Sequence, residues 1–438
     1  MRFTVTSFVV LIYEATSKSQ AIFTPAHIIF GVRMRKVALA LFVLLACAAA
    51  ATAQDWPVFR GDSSHSGYSS SSAPASDELA WQIQGAGSWS SPAVVGLTVF
   101  AGSEDGNVYA LNAVNGSIVW KYQTGGQILS SPAVVGNILY IGSYDNRVYA
   151  LHANNGTPAW QSPYETGGPV ISSPAVADGK IFIGSTDNYV YALNAENGSE
   201  IWKFETGGDV ISSPAVADGK VFVGSWDNRM YAIDTESGEK LWEFQSTYVI
   251  VSSPVVVGNR VFVGLRRNLG PEGWSVVSLD SSNGNLVWEY QAGGHIESSP
   301  AVFENRVYVG SDDNYVYCLD AEDNVATRVI WRFKTGDRVQ SSPAVADNMV
   351  LVGSWDGYLY ALRTSDGGVV WKHEIGAVSR GSPAVAGGKI FIGSIDGRFY
   401  CFGSWQTVGG GELWPGTKYL LIVAFLIFLW WLLRKTVS

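Results

Sequence analysis

The sequence predicts an all-β protein, an eight-bladed β-propeller built from four-stranded antiparallel blades. Three landmarks recur at intervals of about 40 residues, a period typical of propellers and solenoids. A proline that follows serine occurs at Pro92, Pro132, Pro174, Pro214, Pro254, Pro300, Pro343 and Pro383. A glycine that ends an apolar run occurs at Gly102, Gly142, Gly184, Gly224, Gly264, Gly310, Gly353 and Gly393. A tryptophan occurs at Trp81, Trp120, Trp160, Trp202, Trp242, Trp288, Trp331 and Trp371. Eight copies of each landmark indicate eight blades.

The fourth repeat shows why each blade should hold four strands. Short runs rich in β-branched and aromatic residues alternate with turn pairs such as Asp218-Gly219 and Ser237-Gly238, which are β-hairpin signals. The predicted strands cover 214–217, 220–225, 230–234 and 240–245. Four strands per repeat are the pattern of a propeller blade.

The order of the landmarks predicts how the ring closes. Trp81 precedes the first Ser-Pro landmark, whereas the last repeat, 382–403, has no tryptophan strand after it. We therefore expect the strand at 80–84 to complete the last blade. An open solenoid would instead need polar caps at its ends, and the sequence shows none.

Composition and charge exclude several classes of protein. The chain has 438 residues, 47% hydrophobic and 15% charged, with 48 glycines and a net charge of −9. An aromatic-rich chain of low charge can bury a core, which argues against disorder. The negative charge argues against nucleic acid as a partner, because that partner requires a basic face. Three cysteines make no disulfide framework.

The N-terminus has the features of a secretory signal at residues 34–53. A basic stretch, Met34-Arg35-Lys36, precedes an apolar run and the small residues of a cleavage site, so that Gln54 begins the mature chain. Residues 1–33 form an upstream extension, explained by a start codon assigned too early or by an uncleaved leader. Lipidation at Cys47 is a further alternative. Residues 54–78 lead into the propeller, which spans 79–405.

The C-terminus has the features of a membrane anchor. A Gly-rich spacer at 406–418 precedes an apolar stretch at 419–433 that is flanked by Lys418 and by Arg434-Lys435. As a helix, this stretch covers about 22 Å, and its flanking tryptophans suit the membrane interface. The basic tail, 434–438, predicts a cytoplasmic C-terminus and an extracytoplasmic, membrane-anchored propeller. A surface-sorting tail that is cut off in transit is the alternative.

The repeat unit resembles a known family. The stretch from Tyr191 to Trp202, with Gly198 in its turn, resembles the tryptophan-docking repeat of pyrroloquinoline quinone (PQQ)-type propellers. The stretch from Trp56 to Asp62, with His65 and Gly67 nearby, is similar to the segment that precedes such repeats. The resemblance implies a propeller over about 55–405. The family that the chain resembles includes alcohol and sugar dehydrogenases that use the quinone with calcium. It also includes non-enzymatic members such as the scaffold lipoprotein of outer-membrane protein assembly.

The chain lacks features that the resemblance implies for the enzymes. It has no adjacent cysteines for a disulfide ring over the quinone and no C-x-x-C-H motif for haem. Cys318 and Cys401 replace alanine in the third strands of blades six and eight, and we interpret them as small buried residues. We therefore predict no cofactor, with PQQ and calcium only under the enzymatic alternative.

The most frequent acidic motif is interpreted as structural. An aspartate in Ser-x-Asp-Asn/Gly recurs at Asp105, Asp145, Asp187, Asp227, Asp313, Asp356 and Asp396. Such pairs supply the left-handed conformations that tight hairpins require. We therefore predict no metal site from this series, and we assign the eight repeated tryptophans to packing between blades.

Blade five breaks the repeat in the corresponding turn. Its insertion carries Arg266, Arg267, Glu272 and Trp274, a mixture of residue types that is enriched at binding hot spots. The insertion predicts a binding loop. A drifted loop without function is the alternative.

A second break concerns the residue before each Ser-Ser-Pro or its equivalent, near the central channel. This residue is aliphatic in blades two to five, at Leu129, Ile171, Ile211 and Val251. It is Glu297, Gln340, Arg380 and Trp89 in blades six, seven, eight and one, with His295, Asp337 and Arg338 close by. Because the ring closes, these four blades are contiguous, which predicts a one-sided polar site at the channel mouth. The alternative is ordinary variation at a wet rim.

These observations favour a non-catalytic binding or scaffold module for a protein or glycan partner at the cell envelope. The alternative is a PQQ- and calcium-dependent oxidoreductase of alcohols or sugars. The missing cysteine pair and the regular repeats favour the binding module.

Overall fold

The computed structural model describes residues 55–87, 90–266, 274–322, 328–375 and 381–403. The predicted signal peptide, the C-terminal helix at 419–433 and the candidate residues Trp89, Arg267, Glu272 and Arg380 lie outside these ranges. Within them, no helix is long and apolar enough to cross a membrane.

The described chain is all-β, with 33 strands. The segment before the first full blade contains β1 Tyr68–Ser69 and β2 Leu79–Gln84. Blades one to four contain β3 Ala93–Val95, β4 Thr98–Gly102, β5 Asn107–Asn112, β6 Ile118–Gln123, β7 Ala133–Val135, β8 Ile138–Ser143, β9 Arg147–His152, β10 Tyr164–Glu165, β11 Ala175–Ala177, β12 Lys180–Gly184, β13 Tyr189–Asn194, β14 Glu200–Glu205, β15 Ala215–Ala217, β16 Lys220–Gly224, β17 Arg229–Asp234 and β18 Lys240–Gln245.

The second half of the ring repeats this order. Blades five to eight contain β19 Val255–Val257, β20 Arg260–Gly264, β21 Trp274–Asp280, β22 Leu286–Ala292, β23 Ala301–Phe303, β24 Arg306–Gly310, β25 Tyr315–Asp320, β26 Val329–Lys334, β27 Ala344–Ala346, β28 Met349–Gly353, β29 Tyr358–Arg363, β30 Val369–Glu374, β31 Ala384–Ala386, β32 Lys389–Gly393 and β33 Arg398–Phe402. The strands form eight sheets in which blade neighbours pair antiparallel in chain order, apart from β1, which joins blade seven, and β2, which joins blade eight. This arrangement confirms the predicted blades.

The ring closes through its two ends, as predicted. Strand β2 pairs antiparallel with β33, with Trp81 opposite Cys401 and Gln84 opposite Arg398. Strand β2 is therefore the fourth strand of blade eight, although it precedes blade one in the chain. Because the joint is a hydrogen-bonded sheet, the ring has no open end.

The Ser-Pro landmark forms a circle of hydrogen bonds around the axis. In each blade, the backbone N–H of the serine before the proline donates to the hydroxyl of the equivalent serine in the next blade. The circle runs through Ser91, Ser131, Ser173, Ser213, Ser253, Ser299, Ser342 and Ser382 and returns to Ser91, with distances of 2.9–3.3 Å. The landmark therefore joins the innermost strands of neighbouring blades.

The lead-in segment, 56–69, follows the inside of the ring. Its carbonyls accept backbone N–H groups from the second residues of six innermost strands. The pairs are Trp56–Val94, Pro57–Val134, Ser63–Val216, Ser64–Val256, Ser66–Val302 and Gly67–Val345. Strand β1 then runs parallel to β27. Residues 56–69 thus line the central channel. They lie near the C-terminal ends of the innermost strands.

Two titratable side chains of the lead-in segment are fully buried. The Arg60 guanidinium donates to the backbone carbonyls of Pro343 and Pro300. His65 Nδ1 lies 3.2 Å from the carbonyl oxygen of Pro254. Burial lowers the pKa of His65 to about 4, against a weaker opposing effect of Asp62, so that the imidazole is neutral at pH 7.

The repeated tryptophans join neighbouring blades, as predicted. Each indole N–H donates to a carbonyl oxygen beyond its own blade, as Trp202 does to Thr235 at 3.1 Å. For six of the eight tryptophans, the indole ring lies against the glycine of the next blade's third turn. A Cβ on Gly238, whose φ is +72°, would meet the Trp202 indole at 2.7 Å. This contact requires glycine for two reasons, backbone conformation and space.

The aspartate series has the structural role predicted for it. In six blades the carboxylate accepts a tyrosine hydroxyl of the same blade, as Asp227 does from Tyr231 at 2.6 Å. Asp227 also accepts the backbone N–H of Gly207, in the connection from the preceding blade. The following Asn228 has a φ of 69°. These carboxylates therefore stabilise turns, and the described residues contain no group of three His, Cys, Asp or Glu placed to hold a metal.

Candidate functional site

The channel mouth is formed by two kinds of loop. One connects each fourth strand to the first strand of the next blade, and the other is the turn between strands two and three. In blades two to seven a backbone hydrogen bond ties the two loops, as from Asp312 to His295 at 2.9 Å and from Trp355 to Arg338 at 2.8 Å. These bonds fix the side chains of the mouth on rigid strand ends.

The mouth has an aliphatic half and a polar half. Leu129, Ile171, Ile211 and Val251 are all half-buried, on blades two to five. On blades six and seven the equivalent residues are Glu297, half-buried, and Gln340, buried. The described part of the predicted polar arc therefore lies at the mouth as one contiguous side.

The structure joins the blade-five insertion to this polar side. Arg266 Nη1 lies 3.0 Å from Glu297 Oε1, and the Arg266 guanidinium lies 5.9 Å from the centre of the Trp226 ring. The backbone N–H of Arg266 donates to the Val249 carbonyl at 3.0 Å. The sequence predicted two separate features here, and the Arg266–Glu297 ion pair brings them into contact.

Trp274 and His295 form the wall beside this ion pair. Trp274 begins strand β21, directly after the insertion. Its ring meets the His295 imidazole edge-on, with centroids 5.3 Å apart and an interplanar angle of 75°. Edge-to-face contacts of this kind orient both rings.

The blade-seven side of the site is held by an amide–carboxyl pair. Gln340 Nε2 donates to Asp312 Oδ1 at 2.9 Å. Burial raises the pKa of Asp312, and the Gln340 hydrogen bond opposes that shift. The Arg338 guanidinium lies 4.5 Å from the centre of the Trp355 ring. Two arginines of the described mouth, Arg266 and Arg338, thus each lie near a tryptophan ring.

Four buried atoms of these residues have no hydrogen-bond partner. They are Arg266 Nε, Trp274 Nε1, His295 Nδ1 and Gln340 Oε1. An unsatisfied buried polar atom costs about 1–3 kcal/mol, and native structures contain few of them. Four such atoms therefore lie together in the predicted site, although others occur elsewhere in the described residues, as at Asp145 and Ser394.

Three residues of this site were missed by the sequence analysis. Trp226, Asp312 and Trp355 occupy the variable position between serine and aspartate in the turn between strands two and three. A signal for them was present, because this position varies among the blades, from Glu104 to Ile395, while its serine and aspartate neighbours repeat.

The described mouth does not fit a calcium–quinone pair. Calcium requires six to eight oxygen ligands, with carboxylates prominent among them. Glu297 is paired with Arg266, and burial favours the protonated form of Asp312. We derive no catalytic step from these residues.

The fold is shared with several solved structures. BamB from Moraxella catarrhalis superposes with a TM-score of 0.64 at 17% identity, covering 74% of this chain and 99% of that one. A quinohemoprotein alcohol dehydrogenase from Comamonas testosteroni gives 0.66 at 16% identity, covering 83% and 82%. The computationally designed protein Ika8 gives 0.64 at 14% identity, covering 75% and 99%. At these identities the likeness concerns the fold alone.

Sequence comparison defines the family. No curated protein matches the chain. One family model, described as outer membrane protein assembly factor BamB, matches residues 69–175, 162–295 and 275–402. These three matches cover nearly the whole propeller and well over half of the chain. The chain therefore belongs to the PQQ-like propeller family of the outer membrane protein assembly factor BamB.

Proposed function

We propose that this protein is a non-catalytic binding module that holds a protein partner at the channel mouth. The observation that carries the proposal is the cluster around the Arg266–Glu297 ion pair, where four buried polar atoms lack partners. A partner supplying hydrogen-bonding groups would satisfy them. Membership of a family named for an assembly factor supports a binding role.

The chemistry of the mouth favours a protein over a glycan. Its aliphatic half, with Trp226 38% exposed beside it, suits apolar side chains. Its polar half offers arginine, tryptophan and carboxylate groups, the residue types that dominate protein interfaces. An amphipathic protein segment matches both halves at once.

The proposal includes an extracytoplasmic, membrane-tethered location, with the signal at 34–53 and the helix at 419–433 as its basis. Both ends of the described ring support this arrangement. Asp55 accepts the backbone N–H of Gly96, and Gly403 donates to the Glu78 carbonyl, so that both ends lie on the face opposite the mouth. A tether at either end would leave the mouth free.

The test is capture of partners by the full chain carrying Arg266→Ala and Trp274→Ala. We expect at least a tenfold loss of cross-linked envelope partners relative to the wild type, measured by quantitative mass spectrometry. The matched control is Lys240→Ala with Leu241→Ala, an exposed charge and an exposed apolar residue on an outer strand. Unchanged capture by the mouth variant, with its thermal unfolding preserved, would refute the proposed site.

A further inference from the structure

A second pocket lies on the face opposite the mouth, where the lead-in segment leaves the channel. Its volume is about 320 Å³, within the range of roughly 300–1,000 Å³ for small-molecule sites. It is lined by Tyr68, Ser69, Ser70, Ser71, Ser72, Phe303, Asp347 and Asn348. The proposed function uses none of these residues.

The apolar wall of this pocket is a stacked aromatic pair. The rings of Tyr68 and Phe303 lie 4.4 Å apart at an angle of 13°, and both residues are half-buried. Phe303 breaks the symmetry of the ring, because the last residue of the first strand is valine or alanine in the other seven blades: Val95, Val135, Ala177, Ala217, Val257, Ala346 and Ala386. The wall is therefore specific to blade six and the lead-in segment.

The polar wall is a turn that departs from the pattern of most blades. Asp347 and Asn348 connect strands one and two of blade seven with φ values of 48° and 62°. Six blades place glycine in this turn, where a left-handed conformation is unstrained. Blades six and seven, the two that flank the pocket, have none. Exposed carboxyl and amide groups thus line the pocket at positions where the positive φ would be less strained for glycine.

The run of four serines, Ser69–Ser72, is held in place by hydrogen bonds of Ser69 and Ser71. Ser69 Oγ donates to the Val385 carbonyl at 2.9 Å, and Ser71 Oγ accepts the Gly388 N–H at 2.9 Å. Ser70 and Ser72 lie between and after these anchors and are exposed. The run therefore presents the hydroxyl group of Ser72 from a backbone that is already fixed.

We propose that this pocket binds a neutral saccharide unit. A sugar ring combines an apolar C–H face, which suits the aromatic wall, with hydroxyl groups that both donate and accept hydrogen bonds. Serine, aspartate and asparagine side chains complement such hydroxyls, since together they supply donors and acceptors. The Asp347 carboxylate disfavours anionic sugars by repulsion between like charges.

The test is saturation-transfer NMR of the full chain in a detergent without sugar groups. The probes are cellobiose and N,N′-diacetylchitobiose as neutral disaccharides and digalacturonic acid as the anionic one. We expect saturable binding of at least one neutral probe and none of the anionic probe. A signal from the anionic probe alone, or from no probe, would overturn the proposal.

The decisive variant is Asp347→Gly with Asn348→Gly, which reproduces the Gly387-Gly388 turn of blade eight and should fold. We expect its affinity for the neutral probe to fall at least tenfold. The matched control, Asp178→Gly, creates the same Gly-Gly turn in blade three and should bind normally. Equal affinity of the variant and the wild type would also overturn the proposal. The mouth variant Arg266→Ala with Trp274→Ala should bind sugar unchanged, which separates this site from the proposed function.

Discussion

The indole N–H of Trp371 donates to the carbonyl oxygen of Pro74 at 3.0 Å, across 297 positions of the chain. In the other blades the equivalent acceptor belongs to the third turn of the following blade, as for Trp331 and Thr364. Blade eight has no such turn, because its third and fourth strands are the two ends of the ring. The Pro74 carbonyl replaces the acceptor of that turn, so the hydrogen bond from the tryptophan to the next blade is also present where the ring closes.

The joint should open before the rest of the ring, and the two buried cysteines can report this. Burial raises the pKa of each thiol to about 12, so neither should react with a thiol reagent in the native state. Cys401 lies in the closing sheet, whereas Cys318 lies in a continuous blade. In a Cys47→Ala background, we expect the Cys318→Ala variant to be labelled faster than the Cys401→Ala variant at moderate urea concentration. Equal labelling rates would mean that the joint is as stable as a continuous blade.

Glycine in the third turn should be far less replaceable than glycine in the first. Gly219 and Gly238 belong to the same blade and have φ values of +71° and +72°. A Cβ added to Gly219 would meet no atom within 4 Å, whereas a Cβ added to Gly238 would meet the Trp202 indole. Gly219→Ala should cost about 1–2 kcal/mol of unfolding free energy from backbone strain. Gly238→Ala should cost a further 1–3 kcal/mol or so from overpacking. Urea unfolding of the two variants checks this, and equal losses would contradict a close tryptophan contact.

His65 should make the fold sensitive to acid. Its pKa is about 4 when folded and about 6.5 when unfolded, so between these values the unfolded state binds more protons. Stability from this group is therefore complete above pH 6.5 and decreases as the pH falls toward 4. We expect His65→Asn, which tolerates the positive φ of this position, to lose less unfolding free energy than the wild type between pH 7.5 and pH 4.5. Parallel losses measured by urea titration at both pH values would exclude this role of His65.

The enzymatic alternative predicts binding of pyrroloquinoline quinone with calcium. Because the described carboxyl groups of the mouth are paired or favour protonation, we expect the purified full chain to show no saturable quinone binding. We also expect no dye-linked oxidation of ethanol or glucose. Saturable binding together with oxidation would replace the binding module by a quinoprotein.

The repeat made most of the fold predictable, because each landmark performs one structural task in every blade. The serine–proline pair, the apolar-run glycine and the tryptophan recur together, and the early Trp81 revealed the closing strand. The path of the lead-in segment could not be predicted in this way. Its partners are backbone N–H groups such as those of Val94 and Val345, and backbone groups leave no side-chain pattern to recognise.

The sequence predicted some residues of the mouth cluster and missed Trp226, Asp312 and Trp355. It did not predict the pairing of Arg266 with Glu297. Glu297 and Arg266 were noticed for different reasons, as a channel residue and as a member of an insertion. Their ion pair depends on how far each loop reaches across the boundary between blades five and six, which spacing along the chain does not encode. Phe303 was not singled out from the sequence, although it is the one aromatic residue at a position held by valine or alanine in the other seven blades. Its stacking on Tyr68 is visible only in the structure.

The course of the lead-in segment also governs the order of assembly. This segment is made before any blade, yet the Gly67 carbonyl cannot accept the N–H of Val345, nor the Ser69 hydroxyl donate to the Val385 carbonyl, until those distant residues exist. Contacts between such distant positions form late, because loop closure must precede any gain from them. We therefore expect the distant contacts of the lead-in segment, those of Gly67 and Ser69, to be among the last to form, although this segment is the first part of the propeller to be synthesised.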